Sequence, residues 1–381
     1  MNDSIPKLRF PGFSGEWQMN QLKNFITYKN GKSFEDKIVQ DGQYNLITLN
    51  SIDIIGNLQP YHRKVEETDG SLSRGDLIMV LSDVAHGNFL GLTDIIPSDN
   101  FVLNQRMGAL KPKGNIDSRF LRVFINNNQK YFKLHGQGSS QLNLSKGDIE
   151  AFPVPSPNIK EQQKIADFLT AVDERVGAIE QKLNLLKKYK KGAMQQIFSQ
   201  KIRFRDENGE SYGDWEEKTF GDIFKYEQPT KYIVKSTEYN NKYKVPVLTA
   251  GKTFILGYTD EAEGIFNSLP VVIFDDFTTS SHFVDFSFKV KSSAMKILKA
   301  KKGINARLAY ELLDRVKFAA EDHKRHWIGE FQDFYTQLPS SNEQQKIADF
   351  LTSLDDKVNL TEQKSNQAKQ FKKALLQGMF V

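Results

Sequence analysis

The chain has 381 residues, room for roughly two or three domains that each bury a core. A hydrophobic fraction of 39%, with 28 Phe and 13 Tyr, describes a folded protein and excludes a disordered one. There is no cysteine, which excludes disulfides and thiolate zinc sites and suits a reducing cytosol, and the net charge of +5 is spread so that the globular segments stay near neutral.

The first residues, MNDSIPKLRFPGF, lack the charged start and apolar run of a signal peptide. No later stretch approaches the ~20 apolar residues of a membrane span, so a cytoplasmic protein with no membrane partner is expected. Residues 1–156 read as a globular domain that opens with Leu8-Arg9-Phe10 and Gly15-Glu16-Trp17. Its β-rich runs are Tyr44 to Leu49, Leu77 to Leu81, and Val102 with Leu103; a turn at Lys113-Gly114-Asn115 precedes a helical stretch from Arg119 to Phe132.

Residues 157–199 read as one long helix. Ile165, Leu169, Val172, Val176, Ile179, Leu183, Leu186, Ala193 and Ile197 are spaced alternately by four and three except at Lys190, the pattern of a coiled-coil seam. Asn158 lies three residues before Glu161, which can reach back to the helix start as a capping box. About 40 residues at 1.5 Å each make a helix of roughly 60 Å.

The segment 200–338 repeats the opening, with Ile202-Arg203-Phe204 and Gly213-Asp214-Trp215. Its β-rich runs are Val245 to Leu248, Pro270 to Phe274 and Phe283 to Val290, followed by a turn at Lys302-Gly303 and a helix from Ala306 to Phe318. Residues 339–381 then return to the long helix. EQQKIADFLT, Glu161 to Thr170, reappears unchanged as Glu343 to Thr352, and the seam recurs at Ile347, Leu351, Leu354, Val358, Ala368, Leu375 and Met379. Thr361, Ser365 and Lys372 weaken its middle. The spacing of the copies far exceeds solenoid periods, so the chain is a duplicated half-protein. The expected fold class is α+β: two similar globular domains separated by two long helices packed as an antiparallel coiled coil, with approximate two-fold symmetry.

The EQQKIADFL repeats, each after a Pro-rich exit (PVPSPNIKEQQ, LPSSNEQQ), resemble the specificity subunit of type I restriction-modification enzymes. GQGSSQLNLSKGDI from Gly136, LNQRMGALKP from Leu103, and the entrances with Trp17 and Trp215 add to that resemblance. It implies a DNA-reading subunit with no catalytic centre. Each globular domain would be a target recognition domain for one half of a bipartite sequence in double-stranded DNA, and the helices would set the spacer. The resemblance also implies two methyltransferase subunits using S-adenosylmethionine, two restriction subunits using ATP and Mg, and no cofactor in this chain.

Catalytic signatures of nucleotide, hydrolase and zinc-protease sites are missing, as is the Asn-Pro-Pro-aromatic signature of adenine methyltransferases. Asp275-Asp276 with His282 suggests a metal nuclease less well than a strand capped into its turn. His323 and His326 lack a third ligand, so no metal is expected.

For DNA contact, the run Lys289, Lys291, Lys296, Lys299, Lys301, Lys302 and Arg307 contains no acidic residue; phosphate attraction and a solvated strand face are both open. Thr278, Thr279, Ser280, Ser281 and His282 offer hydroxyl and imidazole groups to bases or phosphates, or form a plain polar turn. In the first domain Gln137, Ser139, Ser140, Gln141 and Asn143 form one polar loop, and Ser82, His86 and Asn88 another. Asn104-Gln105-Arg106 reads as a structural buttress at least as well as a contact, and Lys187 to Lys191 as a DNA or partner contact or a solvated helix face. The rivals to DNA reading are a coiled-coil scaffold joining two protein-binding domains, and a self-sufficient nuclease or methyltransferase.

Overall fold

The computed structural model describes residues 5–60, 63–84, 87–249, 253–316 and 326–380. They form two compact units, one of residues 1–182 with 362–381 and one of residues 183–361. The expected segments 1–156, 157–199, 200–338 and 339–381 treat the helices as parts of their own; packing instead assigns each half-helix to the domain it supports.

In the first unit an antiparallel sheet runs in the order Ile26–Asn30, Met107–Pro112, Leu77–Val80, Thr93–Ile95. A second sheet runs Ile38–Val39, Arg63–Val65, Tyr44–Ile47, Phe101–Leu103, and its last pair is parallel. Leu77–Val80 is buried along its length because alternate side chains enter different cores. Ile78 and Val80 join Ile47, Phe101 and Leu103. Leu77 and Met79 join Phe120, Phe124 and Phe132 from the helices.

The helical stretch after this sheet is two helices, Ser118–Asn127 and Gln129–His135. Asp117 starts the first by accepting from the Arg119 and Phe120 amides. At the junction Asn128 turns its side-chain amide back onto the Phe124 carbonyl at 2.8 Å, competing with a continuous helix.

The second unit repeats the plan. Its antiparallel sheet runs Phe224–Glu227, Met295–Ala300, Val271–Asp275, Ser281–Val284, and a smaller sheet runs Ile255–Thr259, Val245–Leu248, Lys289–Val290 with a parallel last pair. The expected run Phe283 to Val290 is therefore two strands in different sheets, parted by exposed Asp285, Phe286 and Ser287. Asn305 starts the helix Ala306–Asp314 as Asp117 does in the first unit; Phe318 lies outside the described residues. In each unit a two-stranded ladder ties entrance to exit: Gln18–Gln21 with Pro153–Ser156, and Glu216–Thr219 with Tyr335–Leu338.

The long helices span Ile159–Phe198 and Ser341–Met379. In the first unit Asp173 meets Lys372 at 2.6 Å and Glu180 meets Lys369 at 2.5 Å, so numbers rise on one helix as they fall on the other. In the second, Lys190 meets Asp355 while Ile197 shares a core with Ile347 and Leu351. Both half-pairs are antiparallel.

Of the expected seam, Ile165 and Leu169 are core residues in the first unit, and Val172 packs against that core. Val176, Ile179 and Leu183 are half-buried, whereas Ile347, Leu351, Leu354 and Val358 are buried. Buried Thr361 satisfies its hydroxyl on the Lys357 carbonyl. The contact between helix end and domain entrance also recurs: the Leu8 amide donates to the Gly378 carbonyl in the first unit, as the Ile202 amide donates to the Gln196 carbonyl in the second.

Candidate nucleic-acid interface

In the first unit the ribbon Ser82–Asp83 with Leu142–Asn143 brings the two expected polar loops together. Gln137 exchanges both backbone hydrogen bonds with Asn143 at 2.9 Å. The intervening turn needs glycine at Gly138, where φ is +123° and a Cβ would meet the Gln141 carbonyl at 2.1 Å. Gln137, Ser139, Ser140 and Asn143 are exposed and Gln141 is half-buried. The Gln141 amide donates to Asn143 Oδ1 at 2.9 Å, and the Asn143 amide donates to the Gln141 carbonyl at 3.1 Å.

Ser82 is itself buried, with its hydroxyl on Asn143 Oδ1, so it orients the amide rather than meeting DNA. Asn88 is exposed and accepts from Lys133 Nζ at 3.2 Å, bringing a cation to the cluster that the sequence reading had not included. His86 lies outside the described residues. Asn104 is buried, its Oδ1 accepting from the Phe34 amide and its NH2 donating to Glu35, which makes it a buttress for the turn at Phe34 and Glu35.

In the second unit buried Asp275 organises the polar turn. It accepts from the Phe277 amide and the Thr278 hydroxyl, and its carbonyl accepts from the Thr279 amide at 2.9 Å. Thr279 takes φ of +59°, which turns the chain sharply. Thr278 and Ser280 are exposed, with their hydroxyls 2.9 Å apart. Ser281 is buried and donates to Asp314, so it belongs to the scaffold. His282 stacks on Phe254, ring centres 4.0 Å apart. Phe277 at this tip is 43% exposed and Val84 at the corresponding bend of the first unit 58%. Both were missed because single apolar residues among polar ones carry no periodic signal.

The basic run does not form one face. Lys289 is buried against Glu261 at 3.0 Å and donates to the Glu263 carbonyl, and Lys296 is buried against Asp276 at 3.3 Å. Neither can meet a phosphate. Lys299 pairs with Glu227 at 2.8 Å, and this bond, with that from Tyr232, holds the Glu227 carboxyl below its usual range. Arg307 pairs with Glu311 and Asp355. Lys291 lies over the Tyr239 ring, leaving Lys301 and Lys302 as the exposed members of the run.

The identical decapeptides have another task. Glu161 does not close the expected capping box, although Asn158 does accept from its amide at 3.0 Å. Its buried carboxylate instead takes the fork of Arg9 at 2.7 and 2.9 Å, and Glu343 takes that of Arg203 at 3.1 and 2.6 Å. Each pairing raises the pKa of its arginine. Gln162 accepts from the Asp117 amide at 2.9 Å and donates to the Pro157 carbonyl, and Gln344 does the same with Asn305 and Pro339. Identity across the copies was the available signal for these four residues, but helical periodicity drew attention to the apolar ones.

Among the described residues no group of three or more acidic or histidine side chains is placed to hold a metal, and no helix is long and apolar enough to cross a membrane. His323 lies outside the described residues; His326 is buried beside Glu330.

The model of the type I restriction modification DNA specificity domain matches residues 14–188 and again 212–370. The EcoR124I/EcoR124II specificity subunit of Escherichia coli is 48% identical over 132 residues, a match spanning 33% of this chain and 33% of that protein. The MjaVIII specificity subunit of Methanocaldococcus jannaschii is 22% identical over 95% of this chain and 91% of that one. The crystal structure of the type I restriction-modification system S subunit from M. genitalium superposes with a TM-score of 0.71 at 16% identity, covering 99% of each chain.

Proposed function

The chain belongs to the family of type I restriction modification DNA specificity domains, and from that premise we propose that it is the non-catalytic DNA-reading subunit of a type I restriction-modification complex, each unit reading one half of a split target. The observation that carries this is the contrast within the duplication. The order of the larger sheet, the capped helix starts at Asp117 and Asn305, and the Arg9–Glu161 and Arg203–Glu343 pairs recur, while the exposed polar side chains that the two units present differ. One scaffold presenting two unlike turns suits two unlike half-sites.

In this reading Gln137, Ser139, Ser140, Gln141, Asn143 and Asn88 face DNA from the first unit, and Thr278, Thr279 and Ser280 from the second. Amides and hydroxyls are groups that pair with base edges, and Lys133, Lys301 and Lys302 supply phosphate attraction. Half-site spacing then follows from the helices.

Partner docking draws support from the helix surfaces. In the first unit Phe371, 56% exposed, lies in a groove with Phe168, Val172, Val176 and Ala368. In the second unit the repeat-equivalent surface carries Leu185 and Tyr189, each 58% exposed. An apolar surface presented twice suits one partner species bound twice, here two methyltransferase subunits bringing S-adenosylmethionine, with two restriction subunits bringing ATP and Mg. Such a complex works in the cytoplasm.

The test is to map methylated adenines in cells expressing a matching methyltransferase subunit with and without this chain. A single motif of two short half-sites at a fixed spacer, appearing only with the chain, supports the proposal. No methylation, where a control specificity subunit gives it, would replace the proposal with the scaffold reading.

A further inference from the structure

The first turn of each long helix carries two buried polar side chains whose partners lie in the entrance segment, the exit and the turn before the domain's own helix. Glu161 holds Arg9, whose Nη2 also donates to the Ser14 carbonyl at 3.1 Å, so one ion pair clamps the segment that leads into the entrance strand to the helix. Gln162 holds the exit carbonyl at Pro157, the Asn115 carbonyl and the start of the domain's own helix at Asp117. In the second unit Glu343 holds Arg203, which donates on to the Gly213 carbonyl at 2.6 Å, and Gln344 holds Pro339 and Asn305.

Apolar contacts already attach each domain to its helix, through Ile165, Ala166 and Leu169 in one unit and Ile347 and Leu351 in the other. Burial of apolar area is non-directional and leaves rotation about the contact weakly defined. A guanidinium fork on a carboxylate and an amide bonded to two segments at once are directional. Replacing a buried ion pair by apolar groups is often neutral or stabilising, so stability alone does not account for placing one at the same point twice.

We infer that Glu161 with Gln162, and Glu343 with Gln344, are positioning residues that fix the orientation of each DNA-reading domain on its helix and thereby the allowed spacing between half-sites, without touching bases. The inference rests on the DNA-reading function proposed above. It separates two properties of the target: bases are chosen at the polar turns, and spacer length is held at the latches.

Methylated adenines are mapped in cells carrying the methyltransferase subunit and the full chain, unaltered or with Arg203→Lys, Glu343→Gln or Gln344→Ala. Arg203→Lys keeps the charge and loses the fork, so it decides alone if the other variants fail to accumulate. The expected result is unchanged half-site sequences, with modification at spacers one base pair longer or shorter rising about tenfold relative to the correct spacer, equivalent to about 1.4 kcal/mol of lost discrimination. A uniform fall in methylation with the spacer still strict, or altered half-site bases, would overturn the inference. Absence of any split motif with the unaltered chain would instead reject the DNA-reading function on which it rests.

Discussion

The same place in the two units is built from different chemistry. In the first unit Gly108 lies on the central strand of the larger sheet, and a Cβ there would come within 3.0 Å of Leu81 and Tyr28. In the second, strand register puts Lys296 at that position, Asp276 at the position of Leu81 and Tyr226 at that of Tyr28. Lys296 reaches Asp276 at 3.3 Å, both side chains 2% exposed, and its ammonium lies 5.7 Å from the centre of the Tyr226 ring. One fold therefore closes this site with apolar contact or with a buried ion pair. The ion pair does an added job, because Asp276 also accepts from the Trp327 amide at 2.9 Å and so seats the helix His326–Gly329.

Breaking one side of that pair is the strongest way to test the comparison. Lys296→Met leaves Asp276 buried without its cation and should cost about 3–5 kcal/mol in urea unfolding. The double variant Lys296→Met with Asp276→Leu, which replaces the pair by apolar side chains, should recover at least half of that loss. A double variant no better than the single one would mean that the pair and the seat Asp276 gives the Trp327 amide, and not the stranded charge, stabilise the unit.

The entrance tryptophans give a smaller contrast. Trp215 donates from Nε1 to Glu343 Oε2 at 3.0 Å, whereas Trp17 Nε1 is buried with no hydrogen-bond partner among the described residues. Trp215→Phe removes a donor from a buried carboxylate and should cost about 1–3 kcal/mol. Trp17→Phe removes an unsatisfied donor while keeping an aromatic ring against Phe120 and Phe380, and should cost under about 1 kcal/mol. Thermal unfolding followed by circular dichroism compares them; equal losses would make volume, not hydrogen bonding, the relevant difference.

These sites explain what the sequence disclosed. The duplication, long helices and β-rich runs were legible because they depend on periodicity and on repeated residues. The Lys289 to Arg307 run misled because charge was counted without direction. Met295–Ala300 buries successive residues on both faces, so Lys296 points inward although its neighbours in sequence look like a basic patch. The latches were visible as identity but not as function, since Arg9 and Glu161 meet only through the fold. Loop readers are harder still: Ser82 and Ser281 match their exposed neighbours in composition and differ from them only in burial.

The least disruptive test uses pH. Val123 in the helix Ser118–Asn127 corresponds to Glu311 in Ala306–Asp314, counting from the helix starts Asp117 and Asn305. Glu311 is 2% exposed, and burial raises its carboxyl pKa above the ordinary 4.5 even though Arg307 and Lys190 oppose the shift. Arg307 divides its charge between Glu311 and Asp355, which weakens its hold on either. A raised pKa means that the folded state binds the proton more tightly than the unfolded state does. This contribution to stability is fully present below the unfolded value and is lost as pH rises through the folded one. Tyr310 beside it is pushed up to about 12 by burial and stays neutral throughout that window. Relative to Glu311→Gln, the unaltered protein should therefore lose stability as pH is raised from 4.5 toward neutrality, by no more than about 1.4 kcal/mol per pH unit, the limit for one proton. Parallel stability curves for the two proteins would show that Arg307 balances the cost of burial, making the acid energetically equivalent to the valine in the other unit.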